Sequence, residues 1–292
     1  MPNILPLLML AVIWVGSLVI AVLPLSFALT RLDPWLVLGA FALFPFLFVP
    51  SFITLAGLMS SFAQSKIIPG RFPREAFHKI YGWRRVYGIC WTQVFYFKPL
   101  YAISLAVPRF KSYMLRLFGY KGPSTSFVVY PDTWLRDLPV LEIGKDAYLA
   151  NRSTIGTNIC LNDNTILVDA IRVRDKGLVG HLVVLAPGCS IEAGAEIGVV
   201  TSIGLRCWIG PRVAVKPNCG INHGCNLEEG CEIGTRAYIG LKVRVGKGVK
   251  VPAGANIPEG AVILQQSDMD RYYSSETKSL QDFAAQLSVV GI

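Results

Sequence analysis

The sequence predicts two kinds of structure in one chain: an apolar helical hairpin, and after it an all-β parallel β-helix built from six-residue repeats. Three observations carry this prediction. Two long uncharged runs fill the first 65 residues, a basic and aromatic segment follows, and an aliphatic residue then recurs at every sixth position from Ile143 to Ile263. Only 16% of the residues are charged and 52% are hydrophobic, which excludes a disordered chain and disfavours an ordinary water-soluble globule.

Residues 1–65 predict a transmembrane helical hairpin. The runs 4–29 and 34–65 contain no charged residue, and each exceeds the roughly 20 residues that cross about 30 Å of hydrocarbon as a helix. The turn between them carries Arg31. A cleaved signal peptide is the alternative, but residues 1–3 lack the basic residues that such a peptide needs, and a second apolar run follows at once.

Residues 66–125 are both basic and aromatic. Lysine and arginine outnumber acids here by eleven to one, so the positive-inside rule places this segment in the cytoplasm, at the inner membrane of a bacterium. We expect interfacial or re-entrant helices over 86–97 and 100–107, with a third span as the alternative, because basic and aromatic residues together suit the lipid headgroup layer. Nucleic acid is not an expected partner next to two membrane spans. The basic side chains expected against anionic lipid include Arg84, Arg85, Lys111 and Arg116.

Residues 126–265 contain the repeat. All 21 hexad positions from Ile143 to Ile263 carry Ile, Leu or Val, and a period of six marks a hexapeptide β-helix. Three hexads make a triangular coil of 18 residues, so the repeat predicts about seven coils, with no inserted loop. We expect residues 126–142 to cover one end of the solenoid and residues 266–292 to cover the other.

The repeat, together with the lead-in Leu115–Gly119, resembles the left-handed β-helix hexapeptide-repeat acyltransferases over about 40% of the chain. The membrane segment is similar, more loosely, to membrane-embedded relatives attached to some peptide synthetases. The resemblance implies a left-handed coil, a homotrimer and acyl-donor sites in the clefts between subunits. The donor would be a thioester of coenzyme A or acyl carrier protein, bound as a co-substrate and not as a tightly held cofactor.

His223 is the first candidate for a catalytic base. Acyl transfer needs a base for the attacking hydroxyl or amine, and His suits this role near neutral pH. The stretch Ile221–Leu227 resembles the Ile-x-His-Asp-Cys-x-aliphatic motif that carries the base in several members, with Gly224 in place of the Asp and Asn222 beside the His. A step of 18 places Leu205 below His223 and Leu241 above it, and these apolar neighbours favour the neutral imidazole.

A backbone N–H one coil above His223 would face the thioester oxygen, as the resemblance implies. In this sequence that position is Gly240 or Leu241. Preorganised N–H donors of this kind contribute strongly to acyl transfer.

His181 is the rival candidate. A step of 18 places Asp163 directly below it, where a carboxylate could orient the imidazole. Arg172 and Arg174 lie close in sequence, so this position predicts either an Asp–His pair or an acceptor-binding site. A surface ion pair is the plainer alternative.

Basic residues return in the last coils, with no acid between residues 236 and 258. Such a group suits the phosphates of coenzyme A or the acidic face of acyl carrier protein, and a solvated surface facing anionic lipid is the alternative. Its members are Arg236, Lys242, Arg244, Lys247 and Lys250.

The seven cysteines are interpreted as structural, because Cys189, Cys207 and Cys225 recur at steps of 18 in the small-residue position of the repeat. We expect no metal site. A metal hydrolyase of the γ-carbonic-anhydrase type on the same fold would need three His ligands, and the repeat contains two His. A sugar nucleotidyltransferase would need a nucleotide-binding βαβ domain before the repeat.

The sequence therefore predicts a membrane-anchored acyltransferase. It would transfer an acyl group from a thioester to a hydroxyl or amine of a membrane-associated acceptor, with a histidine as general base. A non-catalytic trimeric scaffold of a membrane complex is the second hypothesis, and loss of function on mutation of His223 distinguishes the two.

Overall fold

The computed structural model describes residues 4–31, 33–75 and 77–272. It begins with two long helices packed side by side, α1 (Ile4–Arg31) and α2 (Pro34–Gln64), as the two uncharged runs predict. Asp33 caps α2, because its carboxylate accepts hydrogen bonds from the N–H groups of Trp35 and Leu36. By length and composition, both helices reach the dimensions of a membrane span.

The basic segment folds into one strand and three helices. They are β1 (Gly70–Pro73), α3 (Lys79–Tyr96), α4 (Lys98–Ala106) and α5 (Pro108–Leu117). The breaks at Phe97 and Val107 fall just before Pro99 and Pro108, which lie in the first turn of α4 and of α5, because a proline is tolerated there but not in a helix interior. Helices are present over both predicted stretches, 86–97 and 100–107, although α3 is longer than predicted and begins at Lys79.

The aromatic residues of this segment form a core and not a headgroup layer. Tyr87, Trp91 and Tyr101 are fully buried. The indole N–H of Trp91 donates to the carbonyl of Leu135, 2.7 Å away, and the hydroxyl of Tyr87 donates to the carbonyl of Phe118. The prediction that these rings lie among lipid headgroups is wrong, because they join the helices to the start of the solenoid.

Two of the basic residues expected against lipid are also interior. Arg84 is 4% exposed and Lys111 is 5% exposed. Arg84 forms an ion pair with the equally buried Asp137, and the Lys111 ammonium donates to the carbonyl of Phe127. The sequence shows the charge of these residues but not the distant acceptor that each one reaches. Of the four basic residues named for lipid contact, Arg85 and Arg116 are exposed.

The second half is a parallel β-solenoid with three faces of seven strands each, which confirms the predicted fold and gives seven coils. Face 1 consists of Val128–Val129, Tyr148–Leu149, Leu178–Val179, Glu196–Ile197, Ala214–Val215, Glu232–Ile233 and Lys250–Val251. Face 2 consists of Trp134–Leu135, Thr154–Ile155, Val184–Leu185, Ser202–Ile203, Gly220–Ile221, Tyr238–Ile239 and Asn256–Ile257. Face 3 consists of Leu141–Ile143, Ile171–Val173, Ser190–Ile191, Trp208–Ile209, Asn226–Leu227, Arg244–Val245 and Val262–Ile263.

Each strand turns its aliphatic residue inward. Between coil 3 and coil 7 the register advances by 18 at every step, for example Leu185 to Ile203 to Ile221 on face 2. The cysteines of the repeat are buried and unpaired, as the small inward position requires. Burial raises the pKa of Cys231 to about 12, which keeps this thiol protonated and unreactive.

Coil 2 contains a twelve-residue insertion that the sequence analysis did not detect. Ile155 pairs with Leu185, a step of 30 where the repeat requires 18. The extra residues form a hairpin of β2 (Asn158–Cys160) and β3 (Thr165–Val168), and β1 pairs antiparallel with β3. Because twelve is two hexads, Leu161 and Leu167 keep the period of six although they lie outside the solenoid core, and the expectation of no inserted loop is wrong.

One end of the solenoid is covered differently from the prediction. Residues 126–142 contribute strands to coil 1 and are not a cap. The helical segment covers this end, where Tyr120 bonds both the N–H and the carbonyl of Ile143 through its hydroxyl. At the other end a short 3-10 helix, Gln266–Arg271, begins the predicted cap with Met269 buried. The rest of the predicted cap, 273–292, lies outside the described residues.

Candidate functional site

His223 lies at the corner that joins face 2 to face 3, in coil 5, and its side chain is exposed. We call this corner of the solenoid the His223 edge. The register Ile203–Ile221–Ile239 places Leu205 below His223 and Leu241 above it, which confirms the predicted neighbours.

The His223 ring is held against the coil below. The backbone N–H of Leu205 donates to Nδ1 of His223, 2.9 Å away. A nitrogen that accepts a hydrogen bond in neutral imidazole carries no proton, so the proton of the neutral ring is on Nε2. Gly204 makes this approach possible, since a Cβ atom on residue 204 would lie 2.5 Å from Nδ1.

The backbone above His223 supplies one of the two N–H donors that the sequence suggested. The Gly240 N–H donates to the carbonyl of Ile257, 2.8 Å away, so it cannot face a ligand and the expectation for this residue is wrong. The Leu241 N–H has no hydrogen-bond partner within the described residues. A donor role on this edge therefore falls to Leu241.

Asn222 and Tyr238 form a polar pair next to His223. The Asn222 amide nitrogen lies 2.6 Å from the hydroxyl of Tyr238, which is 49% exposed. The sequence analysis missed Tyr238. The 18-residue step could have identified it, because this step places Gly220 directly below Tyr238, and the missing side chain leaves room for the ring.

His181 lies at a different corner, between face 1 and face 2, so the chain does not bring the two histidines together. The inserted hairpin shifts the register, and Asn151 is therefore the residue below His181. Asp163 lies in the hairpin turn, where it pairs with Arg71 and accepts from the Thr165 hydroxyl. The predicted stacking of Asp163 under His181 is wrong.

Arg172 and Arg174, predicted beside His181, belong to face 3. Both pair with Glu142 in coil 1, at 3.3 and 3.0 Å. They therefore stabilise the first two coils against each other and do not converge on the His181 corner.

The basic residues of the last coils are spread around the solenoid. Arg236, Lys242 and Lys247 lie at its three corners, and Arg244 and Lys250 lie on faces 3 and 1. Arg244 pairs with Glu228 at 2.6 Å and Lys247 with Glu229 at 2.9 Å, because acids of the coil below lie beside them. The nearby Lys247 ammonium, and then Arg212, lower the pKa of Glu229. These contacts overturn the expectation of a patch free of acids.

Arg236 and Lys242 form no ion pair within the described residues. Arg236 lies at the corner of His181, whereas Lys242 lies on the His223 edge, one coil above Gly224. The Lys242 N–H donates to the carbonyl of His223, 2.9 Å away. Lys242 is thus the predicted phosphate-binding residue that shares an edge with the candidate base.

The inserted hairpin projects from the His223 edge, three coils below His223. At its base, Asp169 forms a 3.0 Å ion pair with Arg206 in coil 4. The Arg206 side chain crosses over Gly188, where a Cβ atom would lie 2.6 Å from its Cγ. An inserted structure therefore does stand on the edge that carries the candidate base.

Two further features of the solenoid are a small cavity and the arrangement of its possible metal ligands. A cavity of about 150 Å³ opens on face 1, next to the His181 corner, between residues such as Gly180, Val199 and Pro217. Within the described residues, no group of three His, Cys, Asp or Glu side chains is arranged to hold a metal ion.

No family model and no curated protein matches the chain. Among solved structures it is similar to a perosamine N-acetyltransferase from Caulobacter crescentus in complex with CoA and GDP-perosamine, at 17% identity and a TM-score of 0.25, over 48% of this chain and 53% of that one. It is also similar to the UDP-N-acetylglucosamine O-acyltransferase of Moraxella catarrhalis, at 16% identity and a TM-score of 0.29, over 58% of this chain and 82% of that one.

The acetyltransferase domain of PglB from Neisseria gonorrhoeae is a third similar structure, at 18% identity and a TM-score of 0.16, over 55% of this chain and 58% of that one. The match thus spans little more than half of the first and third proteins. All three are named as acyl- or acetyltransferases.

Proposed function

We propose that this protein is a membrane-anchored acyltransferase. It transfers an acyl group from a thioester of coenzyme A or acyl carrier protein to a hydroxyl or amine of a membrane-associated acceptor, and α1 and α2 hold it in the membrane. One observation carries the proposal: an exposed imidazole, that of His223, stands on a solenoid edge within the acyltransferase-like stretch Ile221–Leu227. Its ring is positioned by the backbone of the coil below.

In the proposed reaction, His223 takes the proton of the acceptor hydroxyl or amine as the acceptor oxygen or nitrogen attacks the thioester carbonyl carbon. The carbon–sulfur bond then breaks, and the thiolate leaves with the proton that His223 holds. In the neutral ring Nε2 carries the proton, and Nδ1 accepts the hydrogen bond from the Leu205 N–H. The ring must therefore first turn about Cβ–Cγ and release the Leu205 N–H, so that Nδ1 can take the proton of the acceptor. The exposed position of His223 leaves room for that turn.

The free Leu241 N–H supports a role in stabilising the thioester oxygen, since a preorganised donor is worth most where negative charge develops. The unpaired ammonium of Lys242 suits a phosphate of the donor. Both residues lie on the same edge as His223, whose side chain is exposed. A homotrimer, in which a neighbouring subunit closes this edge into a cleft, is therefore part of the proposal.

The test uses the full chain in membranes of a strain without the chromosomal gene, supplied with radiolabelled acetyl-CoA, long-chain acyl-CoA or acyl carrier protein thioester. Wild-type protein should transfer the label to a membrane product. His223→Ala should lower the rate by roughly 10²–10⁴, the usual contribution of a positioned base. The protein should also cross-link as a trimer, and a species that stays monomeric would contradict that part.

His181→Ala is the matched control, because it removes a solenoid histidine from the other corner. It should retain most of the activity and the same oligomeric state. If His181→Ala is inactive while His223→Ala is near wild type, the assignment is reversed. A protein that binds none of the three donors, and whose His223→Ala variant still complements the deletion in cells, would be a scaffold.

A further inference from the structure

The turn between α3 and α4 contacts the middle of the apolar hairpin and not its base. The ring of Phe97 lies 5.8 Å from Trp14 of α1, and 5.9 and 6.3 Å from Phe52 and Phe48 of α2, measured between ring centroids. The indole N–H of Trp14 also donates to the side chain of Gln93, 3.0 Å away. This turn is therefore fixed at a definite height along both helices.

That height can be converted into a depth in the bilayer. Twenty helical residues rise about 30 Å, the thickness of the hydrocarbon layer. Twenty residues separate Arg31 of the charged turn from Leu10 in α1, and twenty separate Asp33 from Thr54 in α2, so Leu10 and Thr54 mark the boundary of the hydrocarbon layer. Trp14, Phe52 and Phe48 lie on the lipid side of this boundary by four, two and six residues, so Phe97 lies about 6 Å inside it.

The outer surface of the same segment is apolar. Tyr96 is 64% exposed, Ile103 is 53% exposed and Val107 is 51% exposed. Ile103 and the exposed Ala106 are three residues apart and therefore lie on one face of α4, and Val107 is the C-cap residue at the end of this face. Protein covers the opposite face of this helix, where Leu100, Tyr101 and Ser104 are buried.

The one charged residue of this turn, Lys98, is partly buried and directed at the protein. The Lys98 ammonium donates to the carbonyl of Pro131, 2.7 Å away, and lies 3.6 Å from the centre of the Phe95 ring. Arg109, two residues beyond Val107, is the next charge and is exposed. Lys98, held by protein acceptors, is thus the one charge between Tyr96 and Val107, and an exposed charge returns at Arg109, where the headgroup layer would begin.

We propose that the α3–α4 turn and the exposed face of α4 enter the near leaflet and bind lipid acyl chains, to a depth of about 6 Å at Phe97. This inference rests on the membrane anchoring in the proposed function. It replaces the sequence-based idea of basic residues on headgroups, because two of those residues are buried. The occupant is lipid, since the turn packs through Phe97 on α1 and α2, whose outer surfaces are themselves exposed and apolar.

Site-directed spin labels test the proposal in vesicles of phosphatidylethanolamine and phosphatidylglycerol. Three full-length variants carry a label at Ile103→Cys, at Leu23→Cys in α1 and at Val262→Cys in coil 7, each with the exposed Cys160 replaced by Ser. Collision rates with oxygen and with a water-soluble nickel complex are measured. The labels at residues 103 and 23 should favour oxygen, and the label at residue 262 should favour nickel.

Two results would overturn the proposal. If residue 23 reports lipid while residue 103 behaves like residue 262, α4 lies in water and the inference fails, with the anchor and the acyltransferase proposal intact. If residue 23 itself reports water, the hairpin is not in the bilayer and both fail. Val107→Cys reads the same face of α4 if the variant at residue 103 does not fold.

Discussion

The coils 3–7 (residues 178–263) and the junction (residues 66–143) both contain fully buried side chains, but they differ in how far their contacts can be predicted from the sequence. In coils 3–7 each residue stacks on the one 18 positions away, so the neighbours Leu205 and Leu241 of His223 follow from arithmetic. In the junction, Arg84 reaches Asp137 and Trp91 reaches Leu135 across segments that share no period. Repetition, and not the strength of packing, is what makes contacts predictable.

The first prediction concerns the buried ion pair of the junction. Arg84→Ala should lower the free energy of unfolding by roughly 3–5 kcal/mol, because it leaves the carboxylate of Asp137 buried without its cation. Arg85→Ala is the control, since this neighbour is exposed and should change stability by less than about 0.5 kcal/mol. Thermal unfolding in detergent measures both, and equal effects would mean that Arg84 is not interior.

The second prediction compares two leucines that the period of six treats as equivalent. Leu227→Ala should cost roughly 2–5 kcal/mol, because Leu227 is fully buried in coil 5. Leu161→Ala should cost about 1 kcal/mol or less, because Leu161 is only partly buried and lies in the inserted hairpin outside the solenoid core. Denaturant unfolding of the two variants decides the matter, and a Leu161 effect as large as that of Leu227 would return this residue to the core.

The third prediction is a pH dependence from the junction. Burial lowers the pKa of Lys111 below its ordinary 10.5. The unfolded chain therefore binds this proton more tightly, and the free energy of unfolding should rise with pH between the folded pKa and 10.5. Lys111→Met should flatten this rise when melting temperatures are measured from pH 8.5 to 10.5. An unchanged slope would show that Lys111 titrates as it does in water.

The smallest expected effect is at Asp163. Asp163→Asn breaks an ion pair with Arg71 in which both side chains are about half exposed, so stability should fall by only about 0.2–1 kcal/mol. Acyl transfer should stay near wild type, because Asp163 contacts neither histidine. A loss of activity comparable to that of His223→Ala would restore the Asp163–His181 pair as the catalytic one.

The sequence predicted the solenoid, the two apolar helices and the setting of His223, because a period or a long uncharged run determines each of them locally. It missed the inserted hairpin for a physical reason. Leu161 keeps the spacing of a core residue while its strand pairs outside the coil, and spacing alone does not report the partner of a strand. At the candidate site, Lys242 followed from the sequence, whereas the Leu205–His223 bond required coordinates.

Because the solenoid rises by the same amount at every coil, the number of coils sets the distance between its helical end and the candidate base. Coil 1 meets α3, and His223 is four coils further along. At about 4.8 Å for each coil, its imidazole lies roughly 19 Å from coil 1 along the solenoid axis. If the proposed anchoring places coil 1 against the near leaflet with the solenoid axis along the membrane normal, a lipid with a compact headgroup would not reach this height. Under that proposal, this distance would select acceptors whose reactive group is carried on a long polar extension.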